Sequence, residues 1–350
     1  MQFNPLSIKS ITKETPQAVS ISFEVPETLK SEYRFEAGQY ITLKLKLKGE
    51  ELRRDYSLCT NPENGELKVV VKVVENGRFS SYANTELREG DIIEVGQPLG
   101  RFTLMPKPNT ERTIMAIAAG SGITPIMSIL ISVLENEPKS RFVLLYGNKS
   151  PEDTIFKQAL DQVNVKYPDR FNLISIYSQT HVKDELFGRI DRSIIRYALN
   201  KIGGHKEVDQ YFVCGPKPMI DTAIESLTEI GIDKSAIKFE LFTTAEIEEK
   251  SEQNHDDKNS DVTVIVDDET FSFNMPGDKT ILEVALEHDI DAPYSCQGGI
   301  CSSCLARIKE GQVKMRVNNI LTDSEIEDGF ILTCQAEPRS SKIVVDYDDV

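Results

Sequence analysis

The segment Cys296-Gln297-Gly298-Gly299-Ile300-Cys301-Ser302-Ser303-Cys304, followed further on by Cys334 within Leu332-Thr333-Cys334-Gln335-Ala336, decides how the last quarter of this chain is read. Its spacing is C-x4-C-x2-C and then a distant cysteine. Three thiols from one short loop converge only if the backbone turns sharply, and Gly298 and Gly299 permit turns that side chains would block. Ser302 and Ser303 are small enough to leave room beside the sulfurs and to present backbone amides to them. The other two of the six cysteines, Cys59 and Cys214, stand alone. Such a group reads as a metal-binding set rather than as disulfides.

The same spacing is that of plant-type [2Fe–2S] ligation. A structural zinc site is the rival reading, but zinc sites usually pair two C-x2-C hooks and only one is present here; an inert group of cysteines is the third. Residues 262–350 resemble a plant-type ferredoxin, and the resemblance implies Cys296, Cys301, Cys304 and Cys334 as the iron ligands. Strands are expected at Val262–Val266, Thr270–Asn274 and Lys342–Asp346, with a helix over Thr280–His288.

Upstream, residues 245–261 hold seven acids and two lysines with almost no apolar residue. They read as a solvated, mobile linker. Before them, from about 108 to 243, apolar runs at Thr113–Ala119, Phe142–Tyr146, Phe171–Ser175 and Tyr211–Cys214 alternate with helical stretches at Ile126–Glu135, Asp153–Val163 and Met219–Ile230. That alternation predicts a parallel sheet with crossover helices. After the first strand comes Gly120-Ser121-Gly122-Ile123-Thr124-Pro125, where Thr124 suits an N-cap and Pro125 the first helical position. Two glycines at a helix N-terminus make an anion site of the kind that takes a pyrophosphate. Pro125 stands where the third glycine of a Rossmann fingerprint would be, so that motif is absent. A second loop, Cys214-Gly215-Pro216-Lys217-Pro218, follows the last of these strands.

Residues 1 to about 105 read as all-β. Ile41, Leu43, Leu45 and Leu47 alternate with Thr42, Lys44, Lys46 and Lys48, a strand with one wet face. Leu67–Val74 is another strand, and Glu63-Asn64-Gly65 a turn signal. A small antiparallel barrel closes so many short strands most simply. The expected organisation is therefore 1–106 barrel, 107–244 α/β domain, 245–261 acidic linker and 262–350 β-grasp ferredoxin domain, a multidomain β + α/β + α+β chain.

Read together, the two loops resemble the pyridine-nucleotide domain of the ferredoxin–NADP reductase superfamily. The resemblance implies that Gly120, Gly122 and Thr124 hold the pyrophosphate, and that Cys214, Gly215 and Pro216 lie by the nicotinamide; a buried core cysteine is the alternative for Cys214. Arg54-Asp55-Tyr56-Ser57 matches the flavin motif of that superfamily. Arg54 would pair with a phosphate, Tyr56 pack on the isoalloxazine and Ser57 hydrogen-bond near flavin N5. Lys72-Val73-Val74 with Gly77-Arg78-Phe79-Ser80-Ser81 resembles its second flavin segment, where Gly77, Ser80 and Ser81 would approach a diphosphate, so FAD is preferred over FMN. Phe242 resembles the residue that covers the flavin, or closes the sheet as a core aromatic. At Tyr146-Gly147-Asn148-Lys149-Ser150 no acid is expected at the strand end, and Lys149 and Ser150 would meet a 2′-phosphate, the alternative being that Lys149 is a solvated loop lysine; NADPH is favoured, with NADH the other candidate.

Motifs in the order flavin, pyridine nucleotide, ferredoxin resemble the reductase components of bacterial oxygenases, the ring-oxidation type among them. The implied activity is electron transfer from NAD(P)H through FAD to the cluster and on to an oxygenase or similar acceptor protein. Hydride carries two electrons and a cluster accepts one, so flavin belongs between them. Two rivals use the same motifs: a terminal reductase acting on ferric iron or a small oxidant, and a redox-sensing iron–sulfur protein. The oxygenase itself is not expected. The four histidines, and one Glu-x-x-His at Glu252–His255, fall short of the two such motifs and two further glutamates of a di-iron bundle.

Bulk properties agree. A chain of 350 residues exceeds what one core sustains. A composition 39% hydrophobic and 27% charged is that of a globular protein, and the net charge of −16 argues against a nucleic-acid partner. No apolar stretch nears the roughly 20 residues that span a bilayer. Met1-Gln2-Phe3-Asn4-Pro5 lacks the basic and apolar regions of a signal peptide, so no membrane association and a cytoplasmic location are expected.

Overall fold

The computed structural model describes residues 2–242 and 259–350. Two compact units emerge: Phe3–Leu52 with Tyr56–Phe242 form the larger, while Gln2, Arg53–Asp55 and 259–350 are the described residues of the other. Residues 245–258 of the expected acidic linker lie outside the described residues, as do Glu252 and His255. The linker's last residues are already strand, which begins at Ser260.

The larger unit opens with strands β1 (Phe3–Thr15), β2 (Ala18–Glu24), β3 (Tyr40–Leu47), β4 (Glu50–Ser57), β5 (Leu67–Lys72) and β6 (Ile92–Gly96), joined in the order β4-β3-β6-β1-β2-β5. β1 runs antiparallel to both β2 and β6, as β2 does to β5 and β3 to β6. The all-β reading of this region is corrected at one place, because a helix, α1 (Arg78–Thr85), follows β5. β5 ends at Lys72, two residues before the expected Val74. The chain then turns, with Asn76 at φ 58° and the Gly77 amide donating to Val74 O at 2.9 Å.

Six parallel strands follow: β7 (Thr113–Ala119), β8 (Arg141–Asn148), β9 (Phe171–Tyr177), β10 (Leu186–Phe187), β11 (Gln210–Gly215) and β12 (Ile237–Leu241), in the order β10-β9-β8-β7-β11-β12. Their helices are α2 (Ile123–Asn136), α3 (Lys157–Lys166), α4 (Arg192–Lys201) and α5 (Lys217–Glu229). β7, where the strand order reverses, carries the Gly120 turn at its carboxyl end, the position at which open α/β sheets bind ligands.

Thr124 is not the N-cap of α2. Gly120–Gly122 form a 3-10 turn that runs straight into the helix, so Gly122 caps it and the Thr124 hydroxyl donates back to Ser121 O at 3.0 Å. Likewise α3 starts later than Asp153, because Pro151–Asp153 is a 3-10 turn and Phe156 has φ 62°. One core joins barrel and sheet: Ala37, Val70, Phe102 and Leu104 are buried with Ile126, Ile129, Leu130 and Val133 of α2.

The other unit is a five-stranded sheet of β13 (Ser260–Val266), β14 (Glu269–Met275), β15 (Leu305–Glu310), β17 (Phe330–Leu332) and β19 (Lys342–Asp346), ordered β14-β13-β19-β15-β17. A two-stranded piece, β16 (Val313–Met315) with β18 (Ala336–Pro338), accompanies it, along with helices α6 (Ile281–Glu287) and α7 (Asp323–Glu327). β13 pairs antiparallel with β14 and parallel with β19. Thr280 and Glu283 close a capping box on α6, satisfying two amides that a helix start otherwise leaves open.

A buried carboxylate secures the connector between barrel and sheet. Glu137, with its side chain 0% exposed, accepts from Arg112 Nη2 at 2.6 Å, Arg112 Nε at 3.1 Å, Ser140 Oγ at 2.7 Å and the Lys107 amide at 2.8 Å. Burial pushes its carboxyl up, but these hydrogen bonds and the guanidinium charge more than reverse that, leaving it below its ordinary value of 4.5. A group with a lowered folded-state value stabilises above the unfolded value and loses that contribution as pH falls through the folded one. Glu137→Ala leaves Arg112 half-buried without its partner, and calorimetry should record a loss of about 3–5 kcal/mol near neutral pH. The difference from the parent should shrink in acid below pH 4.5.

Candidate functional site

The four thiols of the distant-cysteine pattern come together in pairs. Cys301 Sγ donates to Cys296 Sγ at 3.0 Å, and Cys304 is hydrogen-bonded to Cys334. Within each pair one thiol is lowered and the other raised. Cys296 falls to about 6, first through the bond from Cys301 and then, against burial, through the amides of Gly298, Ile300 and Cys301. Cys334 is lowered by its bond with Cys304, while Cys301 and Cys304 are pushed up by the same bonds and by burial.

Among the described residues no group of three or more His, Cys, Asp or Glu side chains gathers round one ion position. A set of two and two suits a two-iron cluster, with two thiolates for each iron, better than one tetrahedral zinc. Of the two glycines, only Gly299 is left-handed, at φ 68°, and a Cβ there would lie 3.0 Å from Val317 O. Gln297, at φ 52°, takes the other left-handed place. A buried chain, Tyr347 hydroxyl to Thr333 Oγ1 at 2.9 Å and Thr333 Oγ1 to Cys304 O at 3.0 Å, braces the third cysteine.

In the larger unit the two loops of the parallel sheet touch. A Cβ on Gly122 would stand 2.1 Å from the Cys214 carbonyl oxygen, which only glycine avoids. Tyr146, fully buried on β8, donates its hydroxyl to Gly120 O at 2.9 Å and so holds the turn at φ 55°. Gly215 ends β11 and Pro216 caps α5, which begins at Lys217, two residues earlier than the expected start at Met219.

Lys149 is exposed just beyond β8, and the Ser150 hydroxyl donates to Asp153 Oδ2 at 2.9 Å. The expectation of no acid at this strand end is thereby corrected, since Asp153 folds back onto it. Lys72, expected at the flavin segment, reaches the nucleotide turn: its Nζ lies 3.4 Å from where a Gly120 Cβ would be. Burial, then the charge of Lys149, lowers its pKa, with Asp153 opposing.

The two flavin-motif segments meet through Tyr56, whose ring lies 5.5 Å from that of Phe79 on α1. Arg54 is exposed, Nη1 on Arg53 O at 2.6 Å. Ser80 is buried, its hydroxyl donating to Gly77 O at 3.2 Å and accepting from the Val74 amide at 3.1 Å, while Ser81 is exposed. The Val73 amide donates to Gln17 O at 2.8 Å. Phe242 is half-buried against the core that barrel and sheet share.

Ser57 finds a partner that sequence reading missed: its hydroxyl donates to Glu240 Oε2 at 3.3 Å. Glu240 is the register partner of Cys214 across β11 and β12. Burial first, then the Glu240 charge, pushes the Cys214 thiol well up, so it is a neutral thiol and not a thiolate nucleophile. Glu240 is only two residues from Phe242, but the parallel pairing of distant strands is what sets it beside Ser57 and Cys214.

Comparisons with known proteins agree with this geometry. The oxidoreductase FAD-binding domain family matches residues 5–104, the oxidoreductase NAD-binding domain family 116–225, and the 2Fe-2S iron–sulfur cluster binding domain family 264–339. The chain is 40% identical to one of the subunits of 1,2-phenylacetyl-CoA epoxidase from Escherichia coli K12, over 99% of this chain and 98% of that protein. The chain belongs to the family of this epoxidase subunit and of monooxygenase ferredoxin reductase components. A second relative of the reductase is the 3-ketosteroid-9-alpha-monooxygenase ferredoxin reductase component of Rhodococcus rhodochrous, 31% identical over 98% of this chain and 96% of the other. Phthalate dioxygenase reductase, a solved structure, superposes with a TM-score of 0.61 at 25% identity, covering 98% of each chain. The reductase thus carries FAD-binding, NAD-binding and 2Fe-2S domains. Among its described residues no helix is long and apolar enough to cross a membrane.

The donor sets fit these groups: an exposed guanidinium and a buried hydroxyl on β4, a glycine turn at a helix start, and paired thiols. Gly122→Ala forces the nucleotide turn off the Cys214 carbonyl. NAD(P)H titration of flavin reduction should show an affinity loss of about tenfold, or ~1.4 kcal/mol, while photoreduction of the flavin is unaffected.

Proposed function

We propose that the reductase passes electrons from NAD(P)H through FAD to a [2Fe–2S] cluster and on to an oxygenase acceptor, in the cytoplasm. The observation that carries this is the pairing of four thiols in one unit with a Ser57–Glu240–Cys214 grouping between flavin and nucleotide segments in the other. The relatives named for an epoxidase and a monooxygenase support the acceptor class. The domain division proposed is 1–106, 107–244, 245–261 and 262–350.

Bound flavin would supply the exchange between two-electron and one-electron chemistry. Around it, Arg54 would neutralise a phosphate, Tyr56 would pack on the ring with Phe79 behind it, and Ser57 would hydrogen-bond near N5. Gly77, Ser80 and Ser81 would border the diphosphate at the start of α1, with Val73 and Phe242 alongside. Gly120 and Gly122 would bring α2 amides to the nucleotide pyrophosphate, with Thr124 bracing the turn and Lys72 adding charge. Gly215 and Pro216 would shape the nicotinamide side, and neutral Cys214 would present an uncharged surface there. Cys296 with Cys301, and Cys304 with Cys334, would each hold one iron.

The test is analytical and then kinetic. Purified protein should contain about two iron and two acid-labile sulfide per chain; full zinc without sulfide would sink the reading. In Cys301→Ser, hydride transfer to flavin should survive and reduction of a one-electron protein acceptor should fall at least a hundredfold. Joint loss of both, with loss of flavin, would show the units are not separable in function.

NADPH is the proposed donor, because Lys149 and Lys72 set two cations against the single carboxylate of Asp153. Stopped-flow reduction should run faster with NADPH at low nucleotide, and a clear NADH preference would remove that choice.

A further inference from the structure

The cluster thiols come from two parts of the chain, the 296–304 loop and Cys334, and one buried side chain spans both. Gln335 is 2% exposed. Its Nε2 donates to Gln297 O at 2.9 Å and reaches Cys334 Sγ at 3.5 Å. A carbonyl oxygen only accepts, so Gln297 fixes which end of the amide faces the loop, and the nitrogen is turned to both acceptors. The Oε1 atom is buried with no hydrogen-bond partner among the described residues. A buried polar atom left this way is costly, so the donor side of the amide has a use that outweighs it.

The backbone holds Gln335 in place, with its amide on Leu332 O at 2.8 Å and its carbonyl accepting from the Arg316 amide at 2.8 Å. Across the loop, a Cβ on Gly299 would lie 3.1 Å from Gln335 Cγ, so the left-handed glycine leaves the space that the side chain fills.

We propose that Gln335 is a positioning residue that sets the cluster's reduction potential, by tying the cysteine loop to the fourth cysteine and by donating an N–H to the Cys334 thiolate. The inference rests on the two-iron reading. Taking up one electron adds negative charge to the cluster and its sulfurs. A fixed N–H dipole at a ligand sulfur stabilises that charge more in the reduced than in the oxidised state, so it raises the potential.

Gln335→Met keeps the length and approximate volume of the side chain and removes the donor. In the full chain, a redox titration followed by electron paramagnetic resonance should give a lower cluster potential. The expected change is up to about tenfold in the one-electron equilibrium, or ~59 mV, with the flavin potential as internal reference. Gln335→Glu, which replaces the donor by an acceptor, should move it further the same way at pH 8. A cluster at the parent potential in both variants overturns the proposal. If neither variant retains its cluster, the parent protein decides: with ¹⁵N in glutamine side-chain amides, the reduced cluster should show a nitrogen hyperfine coupling. Its absence also overturns the proposal. A parent protein without iron and sulfide would instead remove the two-iron reading beneath it.

Discussion

Burial of α2 from two sides sets the distances on which the larger unit depends. Its apolar face is covered by the parallel sheet, and Ile129 also packs where Gly38 of the barrel offers no Cβ. Barrel residues Ala37, Val70, Phe102 and Leu104 thus share one core with the nucleotide-binding layer. Each large side chain in such a core is worth roughly 1.5–3 kcal/mol when fully buried, so the two layers do not separate cheaply. Polar contacts add register: Ser128 Oγ donates to Thr60 O at 2.6 Å, and Lys238 Nζ to Thr103 O at 2.8 Å.

That shared core is what allows chemistry to be split across distant segments. Ser57 ends β4 of the barrel, Cys214 lies on β11, and Glu240 lies on β12. A hydroxyl–carboxylate bond between barrel and sheet survives only if both layers are held to within a fraction of an ångström. The Gly122–Cys214 approach imposes the same tolerance on the nucleotide side. Burying Cys214 beside a carboxylate disfavours its thiolate, which suits a residue that shapes a surface rather than one that attacks.

The cysteine unit solves a different problem. Four thiols held close repel one another once ionised, so the fold brings them in as hydrogen-bonded pairs and braces each end. Tyr347 and Thr333 hold the Cys304 backbone, and Gln335 links the loop to Cys334. Here a local motif supplies three of the thiols, while the β17 to β18 turn supplies the fourth and its bracing.

The chain order of the three motifs, the cysteine spacing and the alternation of strands with helices were legible in the residues alone, because each rests on neighbours within a few positions. The periodicity of Ile41 to Leu47, the glycine turn after Thr113–Ala119 and the C-x4-C-x2-C loop are local patterns whose physical causes are local. What residues alone misjudged was also local in kind but decided elsewhere. Thr124 lost its capping place to a 3-10 turn that Tyr146 holds from the neighbouring strand. Lys72, read with the flavin segment, reaches the Gly120 turn because the barrel is pressed against the sheet. Glu240, Asp153 and Gln335 became candidate site residues only through pairings across strands and loops. A pattern in sequence specifies what a segment can become. Which side chains then share a few ångströms depends on how buried layers stack, and that information is spread over the whole core.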